Sequence, residues 1–137
     1  MRKITAGHLS ALAVFMAVML ACYSCGSSTP NTNVSTVSSA FAKIVTCPPT
    51  PAKAVAISNF LFQPSGVPIA VNDIVQWTNN DSTPHTVTSG MPLNADGKFD
   101  SGNLAPGATV CVQFLSAGTY KYFCNIHTFM TGSVTVQ

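Results

Sequence analysis

The chain has 137 residues, enough for one domain, and 47% of them are hydrophobic while only 7% are charged. Arg2 and Lys3 account for the whole formal charge of +2, because the other four lysines are balanced by four aspartates. This composition argues against nucleic-acid binding, which requires clustered lysine and arginine to neutralise phosphates.

The N-terminus has the pattern of an export signal. Basic Arg2 and Lys3 precede an apolar run from Leu9 to Ala21, which is shorter than the roughly 20 residues that a membrane-spanning helix needs. We predict a signal peptide over residues 1–21, with a short membrane anchor as the alternative. Leu20-Ala21-Cys22 resembles a bacterial lipobox, so lipidation of Cys22 would make the protein a membrane-tethered lipoprotein. Either way the expected location is periplasmic or otherwise extracytoplasmic.

Residues 22–52 are rich in Ser, Thr, Asn and Pro and show no helical or strand period. We predict that they form a flexible tether, which would span roughly 30 Å as a random coil. The texture changes at Lys53, where short β-type runs begin. Residues 53–137 are therefore predicted to be the folded domain.

The β-type runs of this domain are separated by turns that contain Gly, Pro, Asn and Asp. The predicted strands are Lys53–Ser58, Phe60–Gln63, Val67–Val71, Asp73–Thr78, His85–Ser89, Thr109–Phe114, Thr119–Cys124 and Gly132–Val136. No segment of useful length has a helical period. The pattern predicts an all-β sandwich or barrel.

Alternation along the later strands assigns side chains to faces. Val112 and its apolar neighbours at i±2 are predicted to face the core, which leaves Cys111 on the outer face. In the following strand Tyr122 and Cys124 share the core face. Phe123 is therefore predicted to point outward.

The chemically informative residues lie near the C-terminus. Cys124, His127 and Met130 fall within one short loop after a predicted strand, so a thiolate, an imidazole and a thioether can converge on one ion. A second imidazole is available from His85, the other histidine of the chain after the leader. Singly, each residue is more typical of a core or surface position. Together they match the copper ligands of electron-transfer sites, which combine one Cys, two His and a distant Met.

The region from Ala54 to Val136 resembles the cupredoxins of the plastocyanin and amicyanin type. The stretches that carry the resemblance are Asn59-Phe60-Leu61-Phe62-Gln63-Pro64, Asp73-Ile74-Val75-Gln76-Trp77-Thr78-Asn79, Pro84-His85-Thr86-Val87, Phe99-Asp100-Ser101-Gly102, Pro106-Gly107 and Gly118 through Cys124. The spacing Cys-x-x-His-x-x-Met is similar to that of amicyanin. The resemblance implies a Greek-key β-sandwich of about eight strands that holds one type 1 copper ion between His85, Cys124, His127 and Met130.

The resemblance also has a departure. These families usually place Asn directly after the first His ligand to tie the two ligand loops together, and here that residue is Thr86. The Thr86 hydroxyl is a candidate for part of that bonding. Thr86 and Asn125 are accordingly the residues expected to support the ligands through hydrogen bonds.

The expected function is transfer of single electrons between redox protein partners by a monomer. Electrons should leave through the exposed edge of His127, surrounded by Met91, Pro92 and Phe129, while Phe123 offers a second route. An enzyme is not expected, because no histidine remains for acid–base chemistry once both imidazoles bind copper.

The alternative function is a periplasmic copper carrier or storage protein, and zinc at the same site is a further alternative. Carriers need exchangeable sites, commonly rich in Met or His, whereas Met91 and Met130 are the only methionines after the leader.

Two other cysteines remain once Cys22, Cys25 and Cys124 are set aside. We predict that Cys47 and the outward-facing Cys111 form a disulfide that joins the end of the tether to the sheet. Closing so long a loop would stabilise the fold by up to about 4 kcal/mol on the chain-entropy model. The alternative is two unrelated thiols, with Cys25 as the lipidated residue.

Overall fold

The computed structural model describes residues 40–137. The predicted signal peptide, Cys22, Cys25 and most of the predicted tether lie outside the described residues. The described part of the chain forms ten β-strands, and no helix in it could cross a membrane.

The ten strands follow one another with short connections. They are β1 (Ala42–Val45), β2 (Lys53–Ser58), β3 (Leu61–Gln63), β4 (Gly66–Ile69), β5 (Ile74–Asn79), β6 (Thr88–Met91), β7 (Asn94–Asp100), β8 (Thr109–Phe114), β9 (Gly118–Phe123) and β10 (Thr131–Val136). They form two five-stranded sheets, with strand orders β1-β8-β5-β2-β3 and β4-β10-β9-β6-β7. The predicted all-β sandwich is confirmed, with ten strands in place of about eight.

The core lies between the two sheets and is rich in aromatic side chains. Trp77 of β5 and Tyr122 of β9 come from opposite sheets, and their rings meet edge to face at 5.3 Å. Such pairs contribute about 0.5–1.5 kcal/mol beyond the area that they bury. Burial also raises the pKa of Tyr122 to about 12, so its hydroxyl stays neutral. The Trp77–Tyr122 pair thus packs the two sheets against each other close to the end of β9, where Cys124 follows.

Strand β1 corrects the predicted extent of the tether. Ala42–Val45 lies inside residues 22–52, yet it pairs antiparallel with β8 at the edge of the first sheet. Only Ala42 of this strand is buried, so no apolar alternation marked it in the sequence. The Cys47–Cys111 disulfide is present and joins the chain just after β1 to the middle of β8. The folded unit therefore begins before Lys53.

Strand β7 was also missed, because Asn94–Asp100 is polar and Phe99 is its one buried side chain. It forms as the edge partner of β6, in antiparallel register with Gly90 opposite Ala95. Gly90 has φ of 119°, and a Cβ there would lie 2.4 Å from the carbonyl oxygen of Asn94. The hairpin thus depends on backbone geometry that hydrophobic patterning does not reveal.

The predicted exposure of Phe123 is wrong. Phe123 follows core-facing Tyr122 and points to the other face of its sheet, but only 1% of it is exposed. Its strand is central, with Thr88 of β6 opposite on one side and Thr131 of β10 on the other. Cross-strand neighbours at this spacing cover one another even on the outer face of a sheet.

Candidate metal centre

His85 is fixed before β6 begins. It was predicted to open a strand, but the strand starts at Thr88, and His85 forms an isolated bridge with Leu104. Two backbone hydrogen bonds make this bridge, from His85 N to Leu104 O at 3.1 Å and from Leu104 N to His85 O at 2.8 Å. The imidazole itself is fully buried.

Cys124 follows β9 and opens a tight loop over residues 124–130, the ligand loop. Cys124 N donates to Met130 O at 3.1 Å, and Met130 N donates to His127 O at 2.9 Å. These bonds close the ligand loop just before β10 begins at Thr131. The loop therefore holds Cys124, His127 and Met130 at the same end of the sandwich, and Met130 is only 1% exposed.

The two loops bring a thiol and two imidazoles together. The Sγ atom of Cys124 lies 3.7 Å from Nδ1 of His85 and 3.7 Å from Nδ1 of His127, and the two Nδ1 atoms are 3.2 Å apart. Bonds of about 2.0–2.3 Å to one ion allow donor atoms to lie about 3–4 Å from each other. His85, Cys124 and His127 thus form a site that fits one metal ion.

Asp81 determines which His85 nitrogen is free. Its Oδ2 lies 3.0 Å from Nε2 of His85, and a carboxylate only accepts hydrogen bonds, so Nε2 carries the proton. The lone pair of Nδ1 is then available on the side that faces Cys124. The N–H of Phe60 is the strongest influence that lowers the pKa of Asp81, and Asn59 and His85 also lower it against the effect of burial.

The same carboxylate holds a turn that packs an aromatic ring over the site. Asn59 N and Phe60 N donate to the Asp81 oxygens at 2.7 and 2.9 Å. The Phe60 ring meets the rings of His85 and His127 edge to face, at 5.3 and 4.9 Å. Phe60 was predicted to begin a strand, but it lies in the β2–β3 turn.

Phe60 is a site residue that the sequence analysis missed. Asn59 and Phe60 have φ of 53° and 58°, as the tightest hairpin turns require, and Gly usually takes the second of these positions. A bulky residue in the left-handed region costs about 1–2 kcal/mol. The signal in the sequence was an aromatic residue directly after Asn59, where such a turn usually has Gly. It indicates that the ring makes a contact that offsets the strain.

Thr86 joins the two loops. Its backbone N–H donates to Cys124 Sγ at 3.3 Å, and its Oγ1 accepts from Asn125 N at 2.7 Å. His127 N also donates to Cys124 Sγ, at 3.4 Å. Thr86 and Asn125 therefore connect the loops, although Asn125 does so through its backbone N–H.

The residues expected near the electron exit separate into two groups. Phe129 is 71% exposed, and its ring lies 6.2 Å from the His127 ring. Met91 and Pro92 instead line a groove of about 350 Å³ with Lys121. Strand β6 runs antiparallel to β9, so it leads away from Cys124 and carries Met91 away from the metal centre.

Comparison with known proteins agrees with this geometry. Residues 50–137 match the family model of copper-binding proteins of the plastocyanin/azurin family. Plastocyanin from Scenedesmus fuscus is 38% identical over 86 residues, which cover 56% of this chain and 87% of that protein. Amicyanin-alpha from Methylorubrum extorquens is 34% identical over 83 residues, covering 61% of this chain and 70% of that protein.

The solved structures agree as well. The Cu(I) form of an amicyanin mutant superimposes with a TM-score of 0.63 at 25% identity, covering 71% of this chain and 99% of the other. The residues that fit a metal ion, His85, Cys124 and His127, are consistent with one type 1 copper. The chain belongs to the plastocyanin/azurin family of copper-binding proteins, the cupredoxins.

Proposed function

We propose that this protein is an exported type 1 copper protein that transfers single electrons between redox protein partners. The observation that carries the proposal is the convergence of Cys124 Sγ with the Nδ1 atoms of two histidines, at 3.2–3.7 Å from one another. Copper bound there would supply a Cu(I)/Cu(II) couple. Met130, buried at the end of the ligand loop, is the proposed fourth and more distant ligand.

The role of the protein in this proposal is to hold one geometry for both oxidation states. His85 is tied by its backbone to Leu104 and by its ring to Asp81. The ligand loop is closed by hydrogen bonds between Cys124, His127 and Met130. Because these hydrogen bonds fix both loops, little rearrangement should accompany a change in the charge of the bound metal.

The proposed electron exit is the His127 ring. His127 is half-buried, whereas His85 is fully buried and backed by Asp81. Phe60, Ile126 and Phe129 are exposed apolar side chains on the turn and loop around His127. An uncharged, apolar surface of this kind suits brief contact with a partner protein, since it carries little desolvation cost.

The test is the spectrum of the copper-loaded domain. We expect an intense visible absorption and a type 1 paramagnetic resonance signal, both of which should vanish in Cys124→Ser. Met91→Ala is the control and should keep both signals, because Met91 also carries sulfur but lies in the groove beside Lys121. A colourless protein that readily surrenders Cu(I) would support the copper carrier instead. The full burial of His85 and Cys124 argues against ready exchange.

Export and membrane anchoring are further parts of the proposal. The basic start and apolar run of residues 1–21 support cleavage, and Leu20-Ala21-Cys22 supports a lipid on Cys22. Mass spectrometry of the mature N-terminus is the test. A mature chain that begins at Cys22 with added lipid mass is expected, and an uncleaved leader would contradict export by this signal.

A further inference from the structure

We infer that Thr88 and Asp100 are positioning residues for the ligand loop, acting on it through Thr86. The inference rests on the proposed copper function, but the hydrogen bonds that carry it join groups that are not proposed metal ligands. Asn125 N donates to Thr86 Oγ1 at 2.7 Å, Thr86 Oγ1 lies 2.9 Å from Thr88 Oγ1, and Thr88 Oγ1 donates to Asp100 Oδ1 at 3.1 Å.

The direction of every bond in this chain is determined. A backbone N–H can only donate and an ionised carboxylate can only accept. Thr88 has a single hydroxyl proton and gives it to Asp100, so the proton between the two hydroxyls belongs to Thr86. Each hydroxyl therefore accepts from the ligand-loop side and donates toward Asp100.

A carboxylate at the end of such a chain strengthens every bond in it. Hydrogen bonds to a charged acceptor are shorter and stronger than neutral ones, and donation by a hydroxyl makes its oxygen a better acceptor. The Thr86 oxygen should therefore hold Asn125 N–H more firmly than an isolated hydroxyl would. The 2.7 Å separation of Asn125 N and Thr86 Oγ1 agrees with this expectation.

Burial protects this chain of hydrogen bonds, the relay from Asn125 through Thr86 and Thr88 to Asp100, from competing water. Thr86 is 5% exposed and Thr88 is 3% exposed, so a hydroxyl that lost its partner could not easily replace it. At the other end, Asp100 Oδ1 also accepts from Gly102 N at 3.0 Å, which fixes the carboxylate although Asp100 is exposed. The relay thus ties the ligand loop to β7, an edge strand that contributes no ligand candidate.

Through Thr86, the relay affects the hydrogen bond to the Cys124 sulfur. Thr86 donates its backbone N–H to Cys124 Sγ, and the relay fixes the position of Thr86 against the ligand loop. A hydrogen bond to the thiolate withdraws charge from sulfur and so favours the reduced metal, which raises the reduction potential. Loss of the relay should loosen this bond and lower the potential.

The first test measures hydrogen exchange of the Asn125 N–H by NMR in the copper-free protein. Thr88→Val keeps the shape of the side chain but removes the relay, and should speed this exchange by about tenfold, as loss of one hydrogen bond allows. Thr88→Ser retains the hydroxyl and should restore the rate. Thr78→Val is the matched control, because the Thr78 hydroxyl pairs with that of Thr109, 3.4 Å away, and not with Thr86, Thr88 or Asp100.

The second test measures the reduction potential of the copper-loaded variants. We expect a downward shift in Thr88→Val, recovery in Thr88→Ser and no shift in Thr78→Val. If Thr88→Val fails to fold, Asp100→Leu breaks the relay at its exposed end, while Asp100→Asn keeps an oxygen acceptor as its control.

The two tests separate this inference from the proposed function. Unchanged exchange at Asn125 and an unchanged potential in Thr88→Val, or in Asp100→Leu where that variant is used, would overturn the relay. An equal shift in Thr78→Val would overturn it too, because the effect would then be general. Wild-type protein without a type 1 spectrum would refute the proposed copper function, and the exchange measurement would still decide the relay.

Discussion

The two histidines of the metal centre show how one site can be both rigid and accessible. His85 is fully buried, bonded through its backbone to Leu104 and through its ring to Asp81. His127 is half-buried and surrounded by the rings of Phe60 and Phe129. Polar bonds hold the inner imidazole, and apolar rings shield the outer one. In the proposed function, the His85 side therefore sets the geometry and the His127 side exchanges the electron.

The largest expected effect is on copper absorption, when each imidazole is removed in turn. We expect both His85→Gly and His127→Gly to lose the intense copper absorption. Free imidazole should restore it only in His127→Gly, because that cavity opens to solvent whereas the His85 cavity is enclosed. A titration with imidazole, followed by visible absorption, measures the difference. Equal rescue of both variants would show that the two sides are equally accessible.

Removing the anchor of His85 should have the next largest effect. Asp81→Ala leaves the His85 ring and the N–H groups of Asn59 and Phe60 without their acceptor. We expect the free energy of unfolding of the copper-free domain to fall by about 1–3 kcal/mol, because the buried Nε2–H of His85 loses its acceptor, and the spectrum of the loaded protein to change. Urea denaturation and visible absorption are the measurements.

Asp73→Ala is the control for this loss. Asp73 Oδ2 accepts one backbone hydrogen bond, from Ala70 N at 2.9 Å, and contacts no ligand candidate. Its removal should cost less than about 1 kcal/mol, because the lost hydrogen bond is exposed and water can replace the acceptor, and should leave the spectrum unchanged. If both aspartate variants behaved alike, Asp81 would be an ordinary turn residue and His85 would not depend on it.

The sequence predicted best those parts of the molecule that a pattern of residues marks. Strands β2 and β8 were predicted with their observed bounds, because alternating apolar residues such as Val110 and Val112 mark a half-buried strand. Cys124, His127 and Met130 were recognisable because they share one short loop. His85 could be identified as a ligand candidate only because it is the other histidine after the leader.

The residues that were missed depend on geometry rather than pattern. Phe60 reaches the site through a turn whose left-handed backbone cannot be read from apolar spacing, and Asp81 holds that turn from the loop after β5. Met91 and Pro92 were predicted to lie beside His127 because they are apolar, but the direction of β6 carries them away from the metal centre. Phe123 was assigned to the correct face, and only its neighbours on both sides reveal that it is covered.

A charge on the exposed side of His127 should affect electron exchange but not the site. Phe129 is 71% exposed, so Phe129→Asp should change the free energy of unfolding by no more than about 0.5 kcal/mol. The spectrum should stay the same, while electron exchange with a partner or between two copies slows. Leu93→Asp is the control, because Leu93 is 87% exposed and follows β6 on the side away from Cys124. Unchanged exchange rates in Phe129→Asp would remove Phe129 from the exit route.

The smallest expected effect concerns the ring that covers both imidazoles. Phe60→Gly relieves a left-handed backbone worth about 1–2 kcal/mol but removes the contacts of a half-exposed ring, so stability should change by no more than about 1 kcal/mol. Asn59→Gly changes the neighbouring left-handed position of the same turn and keeps the ring, which makes it the matched control. Removal of copper by a chelator, followed as loss of visible absorption, should be a few-fold faster in Phe60→Gly alone, since the ring limits access to His127. Equal rates in the two variants would mean that the ligand loop, and not Phe60, limits access on the exposed side.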